Sequence, residues 1–294
     1  MAVGFDVLGH ALSGLGDRVS VHRSDRPGVR IVSIRGSDAE LPHDAADNTA
    51  GRAVAALIEA TGFADGMEIR IIKGIPMSSG LGGSAASAVA ATVAAAAIIE
   101  PGRTLESLYP FALAGEAVAS GAAHGDNVGP QLLGGIVLAT ASRLVRVPVP
   151  PELTAVAVHP SHRVNTRDAR ACLEAPFPLQ TVVAQSGNLA QLLCGCHQND
   201  FDLIAAGLRD VMIEPRRADL IPGFGRVRQA ALDNGALGAS ISGAGPTVCG
   251  WFRGIETAER AAPAMVEAFA AAGLAARAHV SPVNSPGATV LESG

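Results

Sequence analysis

The feature that most constrains the fold is a glycine-rich segment between a predicted strand and a long apolar helix. Residues 67–71 alternate apolar and polar side chains, the period-2 pattern of a strand with one wet face. Residues 85–99 are almost wholly apolar and are followed by Pro101, a run too short for a bilayer, which needs about 20 residues. The sequence therefore predicts a strand, a glycine loop and a buried helix in succession.

The loop, residues 76–86, reads P-M-S-S-G-L-G-G-S-A-A. Its glycines allow a tight turn and a close approach of the backbone to a ligand. The first amides of the following helix have no partners within the helix, and together with the helix dipole they favour an anion such as a di- or triphosphate. Taken alone, such a loop leaves open a second interpretation, a close-packed joint between loop and helix.

Composition excludes several classes of protein. The 294 residues are 48% hydrophobic and 17% charged, which is too apolar for a disordered chain. The net charge of -5 gives no general attraction to nucleic acid or to anionic lipid. The cysteines lack C-x-x-C spacing, and the chain opens without a signal-peptide pattern. We expect a globular cytoplasmic protein with no nucleic-acid partner and no membrane partner.

A single lysine, Lys73, stands among the 22 Lys and Arg residues. Walker A loops and protein kinases both place a lysine on the nucleotide phosphates. Lys73 precedes Gly74-Ile75-Pro76 and does not follow the glycines of a Walker motif, so both of these interpretations are excluded.

The proline cluster at 148–151 predicts a domain boundary, with domains at 1–150 and 151–294. Before it we predict a helix over 104–120, with Thr104 as N-cap and Pro110 as a kink or restart, and a strand near 134–138. After it, strands are predicted near 154–158, 239–242, 247–252 and 288–292. Helices are predicted at 166–175, 180–197, 200–213 and 256–272.

The loop resembles the phosphate-binding motif P-x-x-x-G-L-G-S-S-A-A of the GHMP kinases, with Gly83 in place of the first serine. Five further segments, in chain order, resemble motifs of this superfamily in the form found in its homoserine kinases. They are G-F-D-V-L-G at 4–9, H-G-D-N-V-G-P at 124–130, T-R-D-A-R at 166–170, E-P-R-R-A-D-L-I-P-G-F at 214–224 and S-I-S-G-A-G-P-T at 240–247.

The resemblance implies an α+β GHMP kinase fold: an N-terminal domain like ribosomal protein S5 domain 2, then a ferredoxin-like C-terminal domain. It implies ATP-dependent phosphorylation of the L-homoserine hydroxyl to O-phospho-L-homoserine, a step of threonine biosynthesis, with Mg²⁺ and with a homodimer as a further expectation. Two alternatives stay open: another GHMP kinase acting on a small hydroxylated metabolite, and a catalytically silent GHMP-fold binding or sensor protein.

The resemblance also implies roles for residues. Ser84 and Glu116 are expected to hold Mg²⁺ and, with Asn127 near the attacking hydroxyl, to form the catalytic set. The ATP phosphates are expected on the loop, that is on Pro76, Met77, Ser78, Ser79, Gly80, Leu81, Gly82, Gly83, Ser84, Ala85 and Ala86.

The expected acceptor residues suit an amino acid. Guanidinium forks hold carboxylates well, and Arg170 and Arg217 match the family positions that do so. Asp6 matches the partner of the ammonium group, and His124 and Asn127 match residues that line the acceptor site.

Residue type alone leaves alternatives at several of these positions. Glu116 is also compatible with a solvated helix face, and His124 with a structural histidine. Asp126 is a further candidate as a general base, although the family mechanism implies no dedicated carboxylate base. The Cys194-Gly195-Cys196-His197 segment lacks a second ligand pair, and we expect no metal there.

Members of the family usually carry a strand and an S-S-A-N segment directly before the G-F-D motif, and its asparagine belongs to the site. This sequence starts at Met1, the residue that would follow that segment. We expect a form extended upstream to be more stable and more active than the 294 residues alone.

Overall fold

The predicted strand, loop and helix are present in the structure, a computed structural model that describes residues 2–120 and 124–292. Its strands are β1 (Leu8–His10), β2 (Arg18–Ser24), β3 (Val29–Arg35), β4 (Gly66–Ile72), β5 (Ile136–Ala139), β6 (Leu144–Val147), β7 (Leu153–Pro160), β8 (Ala236–Ile241), β9 (Val248–Arg253) and β10 (Ala276–Pro282). Its α-helices are α1 (Thr49–Thr61), α2 (Gly83–Ile99), α3 (Tyr109–Ser120), α4 (Gly125–Leu133), α5 (Thr166–Ala171), α6 (Leu179–Gln198), α7 (Phe201–Gly207), α8 (Glu214–Arg217), α9 (Phe224–Asp233) and α10 (Ile255–Ala270).

These elements form two compact units, and neither is continuous in sequence. The amino-terminal unit comprises Gly9–Met77, Gly82–Arg146 and Pro286–Gly294, and the carboxy-terminal unit comprises Met1–Leu8, Ser78–Leu81 and Val147–Ser285. Hydrogen bonds explain the two short segments of the second unit. The Gln185 side chain donates to the carbonyl of Val3 at 3.0 Å, and the Ser242 hydroxyl donates to the carbonyl of Gly80 at 2.9 Å. The domain ranges 1–150 and 151–294 stay a prediction.

In the amino-terminal unit, the alternation predicted for residues 67–71 forms the central strand of a sheet ordered β2-β4-β3. Strand β4 is antiparallel to β2 and parallel to β3, and the register sets Ile69 opposite Val21 on one side and Ile31 on the other. All three side chains are buried in one apolar core. A second sheet, ordered β1-β5-β6, completes the strands of this half.

Helix α2 confirms the prediction of a buried helix over 85–99. It packs on α1, α3 and β2, so most of its surface is covered and ten of its 17 residues are buried. Ala85, Ala88 and Ala91 are fully buried, and their small side chains allow these elements to approach closely. Within the described part of the chain, no helix is both long enough and apolar enough to span a membrane.

The carboxy-terminal unit has the predicted ferredoxin-like order of elements. Its four strands form an antiparallel sheet ordered β10-β7-β9-β8, and α9 and α10 pack against it, so the chain follows the path β7-α9-β8-β9-α10-β10. Val156 of β7 lies opposite Gly250 and Val280 in the register. Phe252 and Phe269 fill the core between sheet and helices. The α+β fold class is confirmed.

One predicted strand is wrong, and the other differences are shifts in length or omissions. Residues 288–292 form no strand, because this segment makes a single backbone bond, from the amide of Ala288 to the carbonyl of Gln131 at 2.7 Å, and leaves Leu291 exposed. The last strand is β10 instead. The helix predicted over 104–120 is divided, as expected from Pro110, into a 3₁₀ turn at Leu105–Leu108 and helix α3, and the Thr104 side chain makes no capping bond.

The side chain of Asn48 caps helix α1, and its removal tests the described start of this helix. Its Oδ1 accepts from the amides of Ala50 at 3.0 Å and Gly51 at 3.3 Å, and its Nδ2 donates to the carbonyl of Pro42 at 2.8 Å. We expect Asn48→Ala to lower the free energy of unfolding by about 1 to 2 kcal/mol. Urea unfolding followed by circular dichroism measures it. As a control, Asn234→Ala, at an exposed helix end, should change stability by less than about 0.5 kcal/mol, and equal losses would contradict the capping role.

Candidate active site

Two glycines of the loop are required by close contacts. Gly80 and Gly82 have positive φ values of 77° and 70°. A Cβ atom on Gly80 would lie 2.2 Å from the carbonyl oxygen of Ser242, and one on Gly82 would lie 2.7 Å from Oδ1 of Asn127. At Gly80 the loop backbone therefore lies against the second glycine-rich segment, residues 242–247. At Gly82 it lies against helix α4.

Helix α2 begins at Gly83 without a side-chain cap. Gly82 is the N-cap residue, no capping bond is made by a side chain, and the first turn contains no acidic residue. The amide of Ala86 already bonds to the carbonyl of Gly82 at 3.0 Å, whereas the amides before it precede the first intrahelical bond. The positive end of a 17-residue helix therefore lies at the loop, where it favours phosphate.

The second glycine-rich segment, residues 242–247, supports the loop within the carboxy-terminal unit. Its ends are joined by a bond from the amide of Ser242 to the carbonyl of Thr247 at 2.9 Å. From it, the Ser242 hydroxyl and the amide of Thr247 donate to the carbonyls of Gly80 and Ser79, at 2.9 and 3.3 Å. The middle of the loop, Ser78–Leu81, is therefore fixed by residues far away in the sequence.

Ser84 and Glu116 come together within the amino-terminal unit. Glu116 is only 6% exposed, and its carboxylate receives a side-chain hydrogen bond from Ser84. The pKa of Glu116 is raised to about 7, mainly by burial and also by the neighbouring Asp126, while the hydrogen bond from Ser84 and the charge of Lys73 oppose the rise. Two acidic groups near one serine hydroxyl make this a place where a cation is stabilising.

This donor set fits Mg²⁺, which prefers hard oxygen ligands and keeps several waters. Ser84 and Glu116 supply one hydroxyl and one carboxylate. In residues 2–120 and 124–292 there is no group of three or more His, Cys, Asp or Glu side chains arranged to hold a metal. The pair therefore suits a metal that is completed by water and substrate oxygens better than a metal held by a full set of protein ligands.

Helix α4 brings Asn127 to the loop. His124 is the N-cap residue of α4, and Asn127 lies in the first turn, where its Nδ2 donates to Asp126 at 3.4 Å. One turn later, Nε2 of Gln131 donates to the carbonyl of Gly82 at 3.0 Å. This bond and the close approach of Asn127 to Gly82 hold α4 beside the start of α2. The grouping of Asn127 with Ser84 and Glu116 stays a prediction.

A second group forms around Asp6 within the carboxy-terminal unit. Asp6 has a positive φ of 59°, which aspartate tolerates better than most residues. Its two carboxylate oxygens accept from Nη1 and Nη2 of Arg170 at 3.2 and 3.4 Å, a two-pronged ion pair. Both side chains keep partial exposure, 27% for Asp6 and 37% for Arg170, so the pair is accessible to a ligand.

Arg217 lies next to this ion pair and is almost wholly buried. Its guanidinium lies 4.8 Å from the ring centre of Phe5, and it donates to the carbonyls of Ala169 at 2.8 Å and Gly243 at 3.1 Å. Burial lowers the pKa of Arg217, the positive charge of Arg170 lowers it further, and Asp6 raises it. Arg170 and Arg217 thus lie near one another and near the Asp6 carboxylate, and Asp210 adds a further negative charge near Arg217.

Four residues that support the loop were not predicted from the sequence to have a role in the site. They are Asp17, Lys73, Ser87 and Gln131, and all contact the loop or the first turns of α2. The sequence does single out Lys73, because it is the lone lysine and lies three residues before the loop. Asp17, which lies 56 residues before Lys73, had none.

Comparisons with known proteins identify the family of this chain. The model of the GHMP kinases N terminal domain matches residues 48–135, and that of the GHMP kinases C terminal matches residues 190–271. A homoserine kinase of Xanthomonas campestris pv. campestris is 54% identical over 99% of this chain and 90% of the relative. One of Chlorobaculum tepidum is 41% identical over 100% of this chain and 95% of the relative.

A solved structure gives the same result. The crystal structure of homoserine kinase from Cytophaga hutchinsonii has a TM-score of 0.93 and 43% identity, and the match covers 97% of this chain and 91% of the other. Mevalonate kinase of L. major shares the fold at a TM-score of 0.66 and 16% identity, over 95% and 89% of the two chains. The chain belongs to the GHMP kinases and, within them, to the homoserine kinase family.

The buried Glu116 predicts a dependence of stability on pH in the metal-free protein. Because its pKa rises on folding from 4.5 to about 7, its stabilising contribution is complete below pH 4.5 and is lost as pH rises through about 7. This rise corresponds to about 3 kcal/mol of unfolding free energy. Glu116→Gln removes this titrating group. In urea unfolding with EDTA present, its free energy of unfolding should therefore increase relative to that of the wild type as pH rises from 4.5 to about 7, by up to that amount.

The matched control is Glu59→Gln, whose side chain is 65% exposed and pairs with Arg52 at the surface. Its stability should follow that of the wild type at every pH. If the Glu116→Gln curve also ran parallel to the wild type, the carboxyl would not be buried as described.

Proposed function

We propose that this chain is an ATP-dependent kinase that transfers the γ-phosphoryl group to the hydroxyl of L-homoserine, giving O-phospho-L-homoserine for threonine biosynthesis. The observation that carries the proposal is the Asp6–Arg170 ion pair beside Arg217. An amino acid presents an ammonium and a carboxylate. Asp6 offers a partner for the ammonium, and Arg170 and Arg217 offer two partners for the carboxylate.

Asp6 would bind the substrate ammonium, and Arg170 and Arg217 would bind its carboxylate. Arg170 is the more accessible of the two, since its side chain is 37% exposed whereas Arg217 is 2% exposed. Arg217 also donates to two backbone carbonyls, which would fix its guanidinium in place for the carboxylate. Binding would replace one ion pair by a similar set of charges, which keeps the cost of desolvation low.

The loop and the start of α2 would hold the nucleotide phosphates. Residues 76–86 supply backbone amides, and Ser84 and Glu116 would hold Mg²⁺, which neutralises phosphate charge when it is bound. Asn127, fixed beside Gly82, would orient the attacking hydroxyl, and His124 would line the same acceptor position.

In the reaction, the hydroxyl oxygen of homoserine forms a bond to the γ-phosphorus, the bond from that phosphorus to ADP breaks, and the hydroxyl proton passes to the phosphoryl oxygens. Asn127 has a neutral amide and cannot accept this proton. The site therefore works by positioning and charge neutralisation, in accordance with phosphoryl transfer generally. Asp126 stays a candidate for a supporting role beside Asn127.

Other parts of the assignment are also proposals. We infer a cytoplasmic location, a homodimer, and the absence of nucleic-acid and membrane partners. The location rests on the free cysteines of the described residues, which suit a reducing compartment, and the absence of nucleic-acid and membrane partners rests on the net charge of -5. The homodimer is an expectation from the family resemblance alone.

Release of ADP tests the function directly. With Mg·ATP we expect turnover on L-homoserine and none on L-2-aminobutyrate, which keeps the ammonium and carboxylate but lacks the hydroxyl. Glu116→Gln should lower kcat and shift the Mg²⁺ titration to higher concentration, since an amide is a weaker ligand than a carboxylate. Binding of ATP without turnover on any small alcohol would instead favour the silent binding protein.

The acceptor assignment is tested by Arg170→Lys. Lysine keeps the charge but cannot form the two-pronged pair, so we expect KM for homoserine to rise by about 10- to 100-fold while KM for ATP stays within about twofold. Arg216→Lys is the matched control. Arg216 is likewise fixed by hydrogen bonds, here to backbone carbonyls, and stacks on Phe177, but it lies outside the Asp6 group. Equal increases in both KM values would contradict the assignment.

A further inference from the structure

A buried ionic cluster lies beneath the start of helix α2. The Lys73 ammonium contacts Oδ2 of Asp17, the carbonyl of Gly83 at 2.5 Å and Oγ of Ser87 at 3.0 Å. The Lys73 side chain is 3% exposed and the Asp17 side chain is fully buried. A charge pair this deep is costly to form and to break, so its position in the fold calls for a physical reason.

Each partner in the cluster uses its bonding capacity. A lysine ammonium has three N–H donors, and Lys73 has three acceptors around it. On the other side, Oδ2 of Asp17 also accepts from the Ser87 hydroxyl at 2.6 Å, and Oδ1 accepts from the amides of Gly74 at 3.0 Å and Ile75 at 3.4 Å. No donor of Lys73 is left for a ligand while these bonds persist.

The contacts all converge on one place in the chain. Gly83 and Ser87 are four residues apart and lie on the same face of the first turns of α2. The segment Gly74–Ile75, which leads from β4 into the loop, is held by Asp17, and Ile75 packs so closely that a Cβ on Gly83 would lie 3.3 Å from its Cγ2. The cluster thus joins the entry of the loop to the helix that leaves it.

We propose that Lys73 is a positioning residue, which holds the first turn of α2 in place for the nucleotide phosphates while its ammonium remains on Asp17, Ser87 and Gly83. This inference rests on the proposed phosphate-binding role of the loop. It assigns to the only lysine of the chain a task different from the phosphate contact that lysines make in Walker loops and protein kinases.

Because the chain has one lysine, labelling with ε-¹⁵N-lysine gives a single ammonium signal from the intact protein. We expect this signal to be visible in the free protein, because burial and three hydrogen bonds slow its exchange with water. On addition of Mg²⁺ and the non-hydrolysable analogue AMP-PNP it should stay close to its position. An ammonium that exchanges freely with water in the absence of nucleotide would overturn the proposal. So would a signal that shifts strongly when nucleotide binds and whose position is then no longer changed by Asp17→Asn.

Binding of Mg·AMP-PNP by calorimetry separates positioning from stability. Asp17→Asn removes the charge that holds Lys73 and touches no phosphate in this account, so Kd should rise by about 10- to 100-fold, as for other supporting partners of a binding site. Ser87→Ala, which removes one acceptor and no charge, should give a smaller increase and keeps the test open if Asp17→Asn does not fold. The matched control, Asp65→Asn in a surface ion pair with Arg23, should leave Kd unchanged within about twofold.

A purely structural cluster would give a different result. In that case Ser87→Ala and Asp17→Asn would lower the melting temperature and leave Kd unchanged, which would overturn the positioning role. The experiment uses no acceptor, so an error in the homoserine assignment would appear in the ADP assay and not here. Failure of the wild-type protein to bind Mg·AMP-PNP would overturn both proposals.

Discussion

The start of helix α2 is the point on which the site depends. Its first-turn amides face the loop without a capping side chain, and their positive potential needs an anion. Gly80 and Gly82 permit the backbone to reach this position, and ten of the 17 residues of α2 are buried, so a shift of the helix would disturb the core of its unit. Rigidity of the helix gives the loop its fixed shape.

Each unit carries its own group of charged side chains. In the amino-terminal unit, Glu116 and Asp126 lie near each other and favour a cation, and the nearby Lys73 is neutralised by Asp17. In the carboxy-terminal unit, Arg170 and Arg217 lie close together, and guanidinium groups bind carboxylates well. Buried charges are expensive unless they are paired, and every one of these has a neighbour of opposite sign or a role that requires a ligand.

Sequence patterns predicted the local parts of this arrangement well. Alternation found β4, the apolar run found α2, and the loop between them follows from glycine and proline. Long-range contacts were beyond such patterns: Asp17 meets Lys73 across 56 positions, and the strand predicted at 288–292 has apolar residues but no neighbour to pair with. Strands β2 and β3 were missed because arginine and serine occupy their exposed face. The role of each site residue came from resemblance to a family and stays a prediction.

Amide hydrogen exchange across residues 76–86 tests the central claim, that the loop and the first turn of α2 bind phosphate through backbone amides. The measurement compares the protein alone with the protein in Mg²⁺ and AMP-PNP. The account predicts that exchange slows most at Gly82, Gly83, Ser84 and Ala85, where amides would donate to the phosphates. Unchanged exchange at these amides, with protection by bound nucleotide elsewhere in the chain, would contradict it.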